Sequence, residues 1–244
     1  VEGIVKVPNR TLSTAWVSGL KGILAAYLGQ EPEKFNYKGT EYTPKSYLES
    51  LKFNPSDYGD FTSWTHLSYY EKHPVEVADN WRWEQAYNVP FEDITKIIDN
   101  ALDNGYTVAW ASDVSEMGFT RDGIGIVPDM EAVNAPGSDQ AHWVGQEDKP
   151  AEIVAPEEKE ATQETRQRDF DNKTVTDDHG MQIYGIAKDQ WDNKYYLVKN
   201  SWGVTGKYDG IWYASEAFVK NQSLDILIHK DALPKDLKKK LGIK

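Results

Sequence analysis

Two short stretches of this chain carry side chains whose types and spacing suit proton-transfer chemistry. Asp178-His179-Gly180-Met181 opens one β-prone run, and Lys199-Asn200-Ser201-Trp202-Gly203 closes the next. Between them Asp189 to Asn193 has the composition of a hairpin loop. Two antiparallel strands joined in this way bring position 179 beside position 200, so an imidazole and a carboxamide meet across adjacent strand ends. A carboxamide oxygen can orient an imidazole. In a Cys-His-Asn site the oriented ring takes the proton of a thiol, giving a thiolate–imidazolium pair. Trp202 is placed to cover the hydrogen bond and keep water from competing for it. His179 and Asn200 are therefore the candidate catalytic residues, with Trp202, Ser201 and Gly180 supporting them.

The thiol of such a site is missing from the chain, which contains no cysteine among its 244 residues. A disulfide framework, a thiolate metal site and an internal cysteine nucleophile are excluded together. The net charge of −12 argues against nucleic-acid and anionic-membrane partners, both of which need basic surface. No apolar run approaches the roughly 20 residues that span a bilayer, and Val1 to Lys6 lacks the pattern of a signal peptide. A hydrophobic fraction of 39% with nine Trp and 14 Tyr suits an ordinary globular protein with a large core.

The other candidates have plainer explanations. His66 and His73 are spaced to share one helical face, but zinc needs three or four converging ligands, so no metal and no cofactor is expected. His142 and His229 read as solvated or locally hydrogen-bonded. Asp177 and Asp178 face opposite ways on an extended segment, which suits turn or salt-bridge roles rather than an acid/base pair. Trp81 and Trp83, flanking Arg82, read as core with a cation–π pairing.

The positioning elements follow from periodicity. Leu12, Trp16, Leu20, Ile23, Leu24, Tyr27 and Leu28 predict an amphipathic helix over 12–28, closed by Gly29. Phe91, Ile94, Ile97, Ile98, Ala101 and Leu102 predict a second, entered through Pro90 and stopped at Asn104-Gly105. The aromatic-rich stretch between the helices reads as loop with short helices. Five β-prone runs follow, Tyr106 to Ala111, Met181 to Ala187, Tyr195 to Lys199, Ile211 to Ala214 and Asp225 to His229, with a short helix over Ser215 to Lys220. Residues 130–177, rich in Glu, Gln, Pro and Lys, read as a solvated excursion or exposed helix.

The pairing of His-Gly-Met with Asn-Ser-Trp-Gly about twenty residues later resembles the papain-like cysteine peptidases. Within them, Tyr27-Leu28-Gly29-Gln30-Glu31-Pro32-Glu33-Lys34-Phe35, Thr43-Pro44, Trp110-Ala111-Ser112-Asp113-Val114, Gly118 to Gly123 and Thr176 to Met181 look like the bleomycin hydrolase/aminopeptidase C subgroup. The resemblance covers nearly the whole chain and places it as the C-terminal part of a longer member. It implies His179 as general base, Asn200 as its orienter, peptide substrates, and the homo-oligomers found in that subgroup. The subgroup's nucleophile lies in Gly-Thr-Cys-Trp-like sequence preceded by a Gln, and neither occurs here. Ser13-Thr14-Ala15-Trp16 imitates that motif with Ala at the cysteine position. However, position 9 is Asn, and the Leu-Gly-Gln-Glu-Pro that follows matches a later segment, so Ala15 reads as core.

The expected fold is α+β and papain-like, in part. A mainly helical segment over 1–105 precedes a β-rich, barrel-like half over 106–229, which presents His179 and Asn200 at an interdomain cleft. A tail over 230–244 follows. The expected function is peptide-bond hydrolysis, with the cysteine supplied by an N-terminal segment or a partner chain. The alternative is a non-enzymatic peptide-binding pseudopeptidase that has lost its nucleophile. The subgroup's aminopeptidases carry a C-terminal arm into the cleft. The 15 residues after His229 would span roughly 50 Å at full extension and lack the usual ending, so the arm reads as short.

Overall fold

The computed structural model describes residues 14–115, 118–128 and 158–243, and the chain divides into two compact units, Val1–Pro55 and Ser56–Lys244. Asn9, Leu12, Ser13, His142, Lys244 and most of the polar excursion, residues 129–157, lie outside the described residues.

In the first unit, α1 (Ala15–Leu28) runs up to Gly29, which has φ of 87°. The helix forms where periodicity predicts it, but it is not amphipathic in the expected sense. None of its residues is buried, Ala15 is exposed rather than core, and Tyr27 is 87% accessible. So short a unit has too little volume to bury a helix carrying apolar residues on most of its surface. A hairpin of β1 (Phe35–Tyr37) and β2 (Thr40–Tyr42) turns at Lys38-Gly39, both at positive φ, as a two-residue turn requires. It is followed by α2 (Pro44–Ser50), closed at its start by a capping box between Thr43 and Ser46.

The second unit is built on one nine-stranded mixed sheet with strand order β4-β5-β3-β11-β6-β8-β9-β10-β7. Its strands are β3 (Tyr58–Thr62), β4 (Lys72–Pro74), β5 (Gln85–Asn88), β6 (Val108–Ser112), β7 (Ile124–Gly125), β8 (His179–Lys188), β9 (Lys194–Lys199), β10 (Ile211–Ser215) and β11 (Ser223–His229). The five runs read from the sequence all form strands. The aromatic stretch read as loop contributes β3, β4 and β5 as well. These are short; β4 and β5 pair with each other and β5 with β3, while β3 ties them to the sheet through Phe61 and Ile226 of β11, far away in sequence.

Helix α3 (Phe91–Asp103) buries Phe91, Ile94, Ile97, Ile98 and Ala101 against the sheet. Helix α4 (Gln163–Asp171) forms within the stretch expected to be a solvated excursion or exposed helix, but it buries Arg166, Gln167 and Phe170 rather than being exposed. Phe170 stacks on Trp64 with centroids 4.0 Å apart, and both join Val175 and Leu224 in a second apolar cluster. Arg166, 1% exposed, lies 4.2 Å over the Trp64 ring and donates to the carbonyls of Ser63 and Lys220. Those bonds and the cation–π contact offset its desolvation. After α5 (Glu216–Gln222) and β11, helix α6 (Lys235–Leu241) buries Leu237 in the main core beside Ala232 and Leu233. The residues read as a tail are thus packed through Ile243, which also meets that core.

Candidate active site

The β6–β8–β9 ladders place the candidate residues. His179 pairs with Ser112 at the start of β8, and Gln182 of the same strand pairs with Lys199 at the end of β9. The ring of His179 and the side chain of Asn200 meet there, Nε2 to Oδ1, at 2.8 Å.

The polarity of that contact is fixed by a third group. The backbone N–H of Ser201 donates to the same Asn200 atom at 2.7 Å. A backbone N–H can only donate, so the shared atom is the carboxamide oxygen, and the imidazole must donate to it through Nε2–H. This leaves Nδ1 as the basic nitrogen, and among the described residues it has no hydrogen-bond partner. Asn200 is 6% exposed, and its Nδ2 also finds no partner among the described residues. The ring of Trp202 lies 5.3 Å from that of His179. It is braced edge-on by Phe119 and Trp212 at 6.0 and 5.4 Å. Ser201 contributes its N–H, and Gly180 pairs with Ala111 in the β6 ladder.

The segment leading into His179 is held from the side by β6. Asp178 accepts from the Val114 N–H at 3.0 Å. Burial first, and then the neighbouring Asp113 carboxylate, raise its pKa against the lowering effect of that bond. Asp113, 0% exposed, accepts four hydrogen bonds: from Ser115 N and Oγ, both at 2.8 Å, and from Thr176 N and Oγ1 at 2.6 and 3.2 Å. Asp177 lines a different cavity of about 230 Å3 with Asp60, Asp79, Glu84 and Asp225. Neither Asp177 nor Asp178 forms an ion pair among the described residues, so the salt-bridge reading of these two does not hold.

Part of the sequence and the overall fold have counterparts among known proteins. The model of the peptidase C1-like family matches residues 159–243, which include His179, Asn200 and Trp202. Over those residues the sequence is similar to that of the C1-like peptidases. Among solved structures, PepW from Lactobacillus rhamnosis is similar over 94% of this chain and 50% of its own, with a TM-score of 0.64 and 19% identity, a likeness of fold. The chain thus spans about half the length of that relative. The bromelain protease from Ananas comosus, in complex with the E64 inhibitor, overlaps 56% of this chain and 45% of its own at 13% identity and a TM-score of 0.30. No curated protein gives a significant match. The α+β fold is that of the papain-like peptidases.

The remaining candidates take local roles. His66 and His73 share no helix: His66 contacts Glu76 at 2.9 Å and His73, on β4, contacts the Ser68 carbonyl. His229 Nδ1 accepts from the Asp231 N–H. Trp81 and Trp83 are 79% and 66% exposed rather than core, although Arg82 lies 5.9 Å over the Trp81 ring. Asp113 is the site-proximal residue that residue-type reasoning did not single out. Its run carries the family resemblance, but nothing in it signals a buried carboxylate.

Proposed function

We propose that this chain is the His/Asn-bearing part of a cysteine peptidase of the bleomycin hydrolase/aminopeptidase C type, acting on peptides with a cysteine supplied from outside the chain. The observation that carries the reading is the shared Asn200 oxygen. By accepting from both Ser201 N–H and His179 Nε2–H, it leaves Nδ1 free to take a proton. A thiol placed there transfers its proton to Nδ1, and the thiolate attacks the peptide carbonyl. The leaving amine takes the proton back from the imidazolium as the C–N bond breaks. Water, deprotonated by the same nitrogen, then hydrolyses the thioester and frees the thiol. Asn200 stabilises the imidazolium through the Nε2–H bond, and Trp202 shields it from water.

A Cys-bearing N-terminal segment of a full-length subgroup member, mixed stoichiometrically with this chain, is expected to produce hydrolysis of aminoacyl or peptidyl amides. His179→Ala should abolish it, and the chain alone should be inactive. Turnover by the untreated chain that survives His179→Ala refutes the mechanism. The absence of any cysteine favours one second reading, a peptide-binding protein of the same fold. Saturable peptide binding by the chain alone, with no turnover in any mixture, would establish it.

A further inference from the structure

The segment that leads into the strand delivering His179 is held by a carboxylate just past the end of β6. Asp113 follows the end of β6, where Ser112 pairs with His179. One of its oxygens accepts from Ser115 N–H and Oγ–H, and the other from Thr176 N–H and Oγ1–H. Its own N–H donates to the Gln222 carbonyl at 3.0 Å. Two residues after Thr176, Asp178 accepts from Val114 N–H. The 113–115 and 176–178 segments are therefore stitched together immediately before the imidazole. A fully buried carboxylate is costly unless its lone pairs are used, and this one spends both oxygens on the two segments.

We propose that Asp113 is a positioning residue: by clamping 113–115 to 176–178 it fixes the His179 ring in the orientation that donates Nε2–H to Asn200. This rests on the reading of His179 as the proton acceptor, but it concerns the free chain and needs no nucleophile. The β6 ladder sets the backbone of His179, whereas the ring direction depends on the residues leading into it. Replacing one carboxylate oxygen by an amide NH2 opposes a donor to a backbone N–H that can only donate. Asp113→Asn must therefore release either the Ser115 or the Thr176 segment.

The test is the tautomer of His179 in the full chain, read by long-range proton–nitrogen NMR above the imidazole titration. Wild type is expected as the Nε2–H tautomer with slow exchange of that proton. In Asp113→Asn the Nδ1–H form should reach a comparable share and Nε2–H exchange should quicken by about tenfold, while His66, His73 and His229 keep their signals. A folded Asp113→Asn with the wild-type tautomer and exchange rate overturns the proposal. If that variant fails to fold, Ser115→Ala with Thr176→Ala retains the carboxylate and both backbone donors. Exchange is then expected to quicken by about threefold, and an unchanged rate overturns the proposal. Ile97→Ala, in the core, serves as a destabilised control with both melting temperatures measured, and a matching change at His179 in this control also overturns it. Failure of the mixing experiment alongside a clear tautomer shift would remove the peptidase reading and leave the role of Asp113 standing.

Discussion

The Trp202 ring stands 5.3 Å from the His179 ring at a 44° tilt, and the residue is 44% exposed. An indole in this position is expected to restrict water at the Nε2–H bond while costing little to remove from the fold. Trp202→Ala is expected to lower stability by only about 1–2 kcal/mol, the scale of its edge contacts. It should also accelerate exchange of the His179 ring proton, read by NMR on the same sample that gives the melting curve. Normal exchange with the indole gone would show that it shields nothing.

Asn200→Ala removes the acceptor from His179 and from Ser201 N–H. In the reconstituted enzyme, kcat should fall about 10- to 100-fold, the scale of a hydrogen bond to a charged group, with KM nearly unchanged. A loss confined to KM would make Asn200 a substrate contact instead.

Asp225 in the acidic cavity has its pKa pushed up to about 7, by burial first, then by Asp60 and Asp177, with Arg166 opposing. Asp60 and Asp177 are also raised, chiefly by burial. A folded-state pKa above the unfolded value means that the native state binds more protons between about 4 and about 7. Stability is therefore greatest at the acid end of that window and falls as pH rises through it, by a few kcal/mol. Melting temperatures measured from pH 5 to pH 8 should decline, and Asp225→Asn should raise the value at pH 8 and flatten the slope. A slope that survives the substitution would assign it to other groups.

Helix α6 buries Leu237 completely, and Asp236 is bonded to Lys96 of α3 at 2.5 Å. Leu237→Ala should cost about 2–5 kcal/mol, because these residues complete the core rather than extend from it. With its tail packed in this way, the reconstituted enzyme should cleave acetylated and free peptides alike. Strict rejection of the acetylated set, relieved by deleting Ile243 and Lys244, would reverse that expectation.

The His179–Asn200 pairing was legible because everything that creates it is local: two runs of alternating residues, a five-residue turn and two short motifs. What escaped was non-local or polar. Strands β3, β4 and β5 carry no clear alternation, and the ladder that joins them to the sheet, β3 with β11, reaches Ile226. The burial of helix α4 is not legible because its buried face includes Arg166 and Gln167, which no hydropathy pattern marks as interior. The lysines of α6 hid Leu237 in the same way. Asp113 looks like any surface carboxylate until the donors of Ser115 and Thr176 are seen around it.

Strand β11 lies between β3 and β6, so among the described strands the β4-β5-β3 ribbon joins the ribbon carrying His179 and Asn200 through the ladders of residues 223–229. A nascent chain still holding those residues in the ribosomal tunnel has two unpaired sheet edges and no strand to bridge them. Until that strand emerges the sheet cannot close, so synthesis should leave an aggregation-exposed interval during which chaperone demand is highest.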